Sequence, residues 1–140
     1  MTETDMNIAR ANGAMQSYQT MGAEAAVTDA DPHRLIQLLL QGALDRIATA
    51  KGHLQRGEVG PKGECIGKAI SIVDGLRAAL NFEQGGEIAQ NLGDLYDYME
   101  HGLLEANLRN DPAKLDEVAT LLGEIRGAWE AIGPQRAVAR

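Results

Sequence analysis

Residues 31–57 read DPHRLIQLLLQGALDRIATAKGHLQRG, and this stretch decides the fold class. Asp31 ahead of Pro32 is a helix start: the carboxylate accepts from backbone N–H groups of the first turn, and proline stands where its missing N–H costs nothing. From there Leu35, Leu39, Gly42, Ala43, Ile47, Ala50 and Leu54 repeat with helical period, and Ile36, Leu40 and Leu44 widen the stripe. Gly57 after Arg56 is a stop signal. The spacing predicts a helix over residues 32–56.

The same punctuation recurs downstream. Pro61 opens a second helix over 61–82, with Cys65, Ile66, Ala69, Ile70, Val73, Leu76 and Leu80 inward and Gly85-Gly86 as the break. A third, over 86–109, carries Ile88, Leu92, Leu95, Met99, Leu103 and Ala106. Asp111-Pro112 repeats the cap-and-proline start of a fourth over 112–132, lined by Leu115, Val118, Leu122, Ile125, Trp129 and Ile132 and stopped by Gly133-Pro134. Short connections force neighbouring helices to run antiparallel, so the expected fold is all-α, an up-down-up-down four-helix bundle over residues 31–133. Leu39, Leu92, Leu95 and Leu122 are expected to be buried, and Trp129 to pack inward with its indole N–H paired or at the rim. Residues 1–30 read as a flexible arm in which Ala11, Met15, Tyr18 and Met21 mark one short amphipathic helix. That helix is too short to persist without a surface to lie on. Residues 134–140 read as a disordered basic tail.

Composition narrows the function. The 140 residues carry 13 Lys plus Arg against 20 Asp plus Glu, a formal net charge of −7, which argues against a phosphate-driven nucleic-acid binder. Cys65, the one cysteine, can form neither an internal disulfide nor a metal-binding pair, which suits a reducing cytoplasm. The opening MTETDMNIAR lacks the basic and apolar regions of a signal peptide, and no apolar run reaches membrane-span length. No cofactor and no membrane insertion are expected. A di-iron bundle needs Glu-x-x-His pairs, but the residues three before His33, His53 and His101 are Ala30, Ala50 and Tyr98. Asp97 and His101 share a helix face, yet two ligands make no metal site. Cys65 among Ile66, Ala69 and Ile70 reads as a small hydrophobe. The chain is therefore expected not to be an enzyme. The alternative that stays open is a histidine phosphotransfer bundle, in which His53 takes the phosphoryl group and Arg56 and Gly57 play the parts of the cation and the glycine that follow such a histidine.

The third helix is the most specific stretch. LYDYM (95–99) followed by LLEANLRND (103–111) resembles the flagellin-specific export chaperone family, usually called FliS. The likeness extends to DPHRLIQLLLQGAL (31–44), KGECIGKAISIVDGLRAAL (62–80), GGEIAQNL (85–92), AWEAI (128–132) and SYQ (17–19), in register over about residues 14–132. The chain departs from the pattern at His101 and Gly102, where relatives often carry two arginines. The resemblance implies a cytoplasmic chaperone that binds the disordered C-terminal segment of flagellin, prevents premature polymerisation and assists delivery to the flagellar type III export apparatus. The chaperone–flagellin complex would meet the export gate protein, and the free chaperone would be a monomer or a weak homodimer. Together with the wide apolar faces, it singles out Met15 and Tyr18 in the arm as flagellin-binding residues that can also act as a lid. Leu35, Ile36 and Leu39 on the first helix, Ile72, Leu76 and Leu80 on the second, and Tyr98, Asn107 and Asp111 in the motif complete the expected set.

Overall fold

A computed structural model describes residues 31–133. Four helices follow one another: α1 (Pro32–Gln55), α2 (Val59–Ala78), α3 (Phe82–Arg109) and α4 (Pro112–Ile132). No strand occurs among the described residues. Both aspartate caps form. Asp31 accepts from the Arg34 N–H at 2.7 Å, and Asp111 accepts from the Ala113 N–H at 3.0 Å. Asn81 starts α3 in the same way, accepting from the Gln84 N–H at 3.1 Å.

Two boundaries differ from expectation, each for a local reason. α2 starts at Val59 and places Pro61 inside its first turn, where an N–H would have no intrahelical partner anyway. It stops at Ala78, because Asn81 is taken up in capping α3. The break expected at Gly85-Gly86 is a bend within α3: Gly86 has φ 52° and ψ −126°, and one helical turn precedes it.

α1 packs on α2 and on α4, and α3 closes the ring by packing on α2 and α4 in turn. The direction of each pairing is antiparallel. Trp129 near the end of α4 donates its indole N–H to the carbonyl of His33 at 2.9 Å, while Lys51 near the end of α1 reaches Asp116 at 2.7 Å. The His33 and Trp129 rings stack at 4.9 Å between centroids and 12° between planes. The core runs through Leu39, Leu40, Ile66, Val73, Met99, Leu103, Leu115 and Leu122, all fully enclosed, with Cys65 a buried free thiol at its edge.

Three expectations about burial need correction. Leu92 and Leu95 pack against the core but are half-buried, and Ile88 is 67% exposed. All three lie on the N-terminal half of α3. Ile88 lies two residues past the bend at Gly86, where Gly86 and Glu87 are exposed as well. Conversely Ile72, expected among the flagellin-binding residues, belongs to the core.

Candidate functional site

The two ends of α3 are built differently, and the difference locates the site. At the C-terminal end Asn110 takes a left-handed conformation, φ 52° and ψ 49°, which ends the helix. Lys62 of α2, only 2% exposed, crosses to this corner and donates from Nζ to the Asn107 carbonyl at 2.9 Å and to Asn110 Oδ1 at 2.6 Å. A cation at the negative end of a helix satisfies carbonyls that the helix leaves unpaired. Gly102 lets α3 and α4 approach closely, since a Cβ there would stand 3.3 Å from a methyl of Val118.

Toward the N-terminal end the seam between α3 and α4 leaves apolar side chains partly uncovered. Tyr98 marks its lower rim: the hydroxyl donates to Glu117 Oε1 at 2.9 Å, and the ring lies 5.9 Å from Lys114 Nζ. Hydrogen bonding to Glu117 is the main cause that raises the Tyr98 pKa. Leu92 and Leu95 of α3 and Leu121 and Ile125 of α4 all pack against the margin of the core. All four are half-buried, as are Trp129 and Ile132 further along α4. With Ile88 they form an apolar row that the bundle covers only in part. Such a groove can take the apolar face of an amphipathic helix.

Where α3 faces Arg77 of α2 its surface is polar and braced. Arg77 of α2 pairs with Asp97, with Asp74 at 2.6 Å and with Glu100 at 3.2 Å. The bond to Asp74 is the main cause that raises the Arg77 pKa, whereas desolvation pushes that of Glu100 up against the pull of Arg77. Burial carries the Tyr96 phenol to about 12, so of the two neighbouring tyrosines Tyr96 is core and Tyr98 is surface.

The residues singled out from the sequence do not gather in one place. Leu35, Leu39, Ile72 and Leu76 are core residues, and Ile36 and Leu80 are half-buried at its margin. Tyr98 lies on the seam. Asn107 stands in the last turn of α3 and lends its carbonyl to Lys62, and Asp111 in the connection that follows caps α4. Met15 and Tyr18 lie outside the described residues. His53 has its Nδ1 2.8 Å from Glu58 Oε1 and 3.2 Å from an Arg56 nitrogen, and hydrogen bonds from His53 and then Arg56 hold the Glu58 carboxyl below its usual range. The ring thus belongs to a cluster of three polar side chains at the α1–α2 corner. The seam residues Leu92, Leu95, Leu121 and Ile125 were read from the sequence as inward or passed over. Their partial cover depends on how far α4 reaches, which periodicity does not encode.

The family model described as flagellar protein FliS matches residues 14–136. The flagellar secretion chaperone FliSB of Pseudomonas aeruginosa is 54% identical over 119 residues, which is 85% of this chain and 94% of that protein. The flagellar secretion chaperone FliS of Salmonella typhimurium is 48% identical over 122 residues, 86% of this chain and 90% of that protein. That of Bacillus subtilis is 32% identical over 124 residues, 88% and 92% of the two chains.

Proposed function

The chain belongs to the flagellar protein FliS family, and from that premise we propose that it works as a flagellar secretion chaperone whose client is the C-terminal segment of flagellin. The client lays the apolar faces of short helices along the α3–α4 seam and cannot assemble while they are covered. The single observation that carries this reading is the row of half-buried apolar side chains at Leu92, Leu95, Leu121 and Ile125, continued by exposed Ile88. The work is binding and no bond is made or broken, so the protein is not an enzyme.

The arm with Met15 and Tyr18 covers the seam in the client-free state and leaves when a tighter helix arrives, because only a difference in affinity moves such an equilibrium. The loaded complex then meets the export gate protein from the cytoplasm, and the free chaperone is a monomer or a weak homodimer. Calorimetric titration with a peptide from the C-terminal end of flagellin tests the reading. Binding with a negative heat-capacity change and a gain of helical circular dichroism is expected. Equally tight binding of an N-terminal flagellin fragment would overturn it.

A further inference from the structure

The bend at Gly86 is held by a contact of its own. The turn before it, Phe82 to Gly85, is capped by Asn81, whose side chain accepts from the Gln84 N–H at 3.1 Å and whose carbonyl accepts from the Gly85 N–H at 2.8 Å. Phe82 in that turn lies against Gly93: a Cβ built on Gly93 would stand 3.5 Å from Cε1 and Cζ of the ring and 3.6 Å from a methyl of Leu80. On a straight α-helix Phe82 and Gly93 would be about 16 Å apart along the axis, beyond the reach of a phenylalanine side chain. The contact exists because the chain turns back at Gly86, with φ 52° and ψ −126°. Small residues make the room. A Cβ on Gly85 would fall 2.8 Å from that of Ala89, where a regular helix keeps such a pair about 5–6 Å apart. Ala89 and Gly93 are both buried.

The bend decides what stands over Ile88. On a continuous helix Gln84 is four residues before Ile88 and shares its face, and the Ile88 side chain leans toward the turn that carries Gln84. Bending at Gly86 takes that turn away and leaves Ile88 67% exposed at the end of the apolar row. Gly93 is about 140° round the helix from Ile88, so the Phe82 ring sits to one side of the row and does not fill it. We infer that Phe82 is a positioning residue for the client surface: seated on Gly93, its ring holds the bend and keeps the Ile88 end of the row uncovered before a ligand arrives. This role rests on the α3–α4 seam being the client site. Phe82 itself touches no client. It spares binding the conformational cost of clearing Ile88.

Phe82 is the one phenylalanine of the chain, so 4-fluorophenylalanine labels this ring alone. Its fluorine resonance should remain that of a seated ring when the flagellin C-terminal peptide saturates the protein. The ring is 44% exposed, so Phe82→Ala should leave the bundle folded, with amide protection falling over residues 83–88 of the free protein. That variant should bind the peptide about fivefold more weakly by calorimetry, while Phe82→Leu, which keeps an apolar side chain on Gly93, should stay within about twofold. A double-mutant cycle with Ile88→Ala separates positioning from a general structural role. With Ile88 already truncated there is little left to present, so Phe82→Ala should cost less than about twofold in that background. Four results would each overturn the assignment: unchanged protection over 83–88, wild-type affinity in Phe82→Ala, an equal loss in both backgrounds, or a fluorine resonance that moves to its solvated position on peptide binding. If the wild-type protein binds the peptide and one of these appears, the seam stands and the role of Phe82 alone falls. A wild-type protein that does not bind the peptide removes the seam and this role with it.

Discussion

The two ends of α3 are built in opposite ways. Its last turns are tied down by a buried lysine, a left-handed asparagine and the capping aspartate of the next helix. Its first turns start from a bend at Gly86 and carry apolar side chains that α4 only partly covers. A chaperone for an amphipathic segment needs both properties. The surface that takes the client has to be apolar before the client arrives, and the frame that presents it must not collapse onto itself. Anchoring one end and leaving the other under-covered meets both needs in 28 residues.

Lys62 gives the most severe way to break this contrast. Lys62→Ala leaves the Asn107 carbonyl and the Asn110 side chain without their donor and opens a cavity. It should destabilise the protein by about 2–4 kcal/mol in urea unfolding. Loss below about 1 kcal/mol would show that the C-terminal corner is not anchored by this contact. Gly86→Ala comes next. A Cβ there meets no neighbour within 4 Å, so the cost lies in the backbone alone, in a region of φ and ψ nearly closed to other residues. About 1–3 kcal/mol is expected, with amide exchange rising most over residues 82–88.

Much of the frame can be read before any coordinates are seen. Asp31-Pro32 and Asp111-Pro112 announce two helix starts because capping is local chemistry between residues two or three apart. Trp129 declares itself through its place on an apolar line and its need for an acceptor, which His33 provides. The proposed client surface is less legible. Leu92 and Leu95 share the stripe of Met99 and Leu103, and periodicity reports which way a side chain points without reporting how far the opposing helix extends. Lys62 looks like any solvated cation in sequence, since its acceptors lie 45 and 48 residues away.

Smaller effects sharpen the comparison by separating stability from binding. Ile88→Ala removes a side chain that is mostly in water, so unfolding should change by less than about 0.5 kcal/mol. The flagellin C-terminal peptide should nonetheless bind about threefold to tenfold more weakly by calorimetry. A variant that loses stability and keeps its affinity would place Ile88 in the frame and not in the seam.

The smallest effect concerns pH. Desolvation raises the Glu100 pKa in the folded state above the ordinary 4.5, so the fold favours its protonated form. The resulting contribution to stability is fully present below 4.5 and is lost as pH rises through the folded value. Relative to Glu100→Gln, the wild-type protein should therefore gain stability on acidification from neutral pH toward 4.5, as thermal unfolding at several pH values will report. The opposite trend would mean that Arg77 dominates over burial at this carboxylate.

Hydrogen exchange with and without the flagellin C-terminal peptide tests the central claim most directly. The under-covered end of α3 and the facing half of α4 should gain protection on binding, over residues 88–98 and 121–132, while the anchored residues 102–111 stay as they were. Protection that appears at 102–111 or along α1 and α2, with 88–98 unchanged, would contradict the assignment of the seam as the client site.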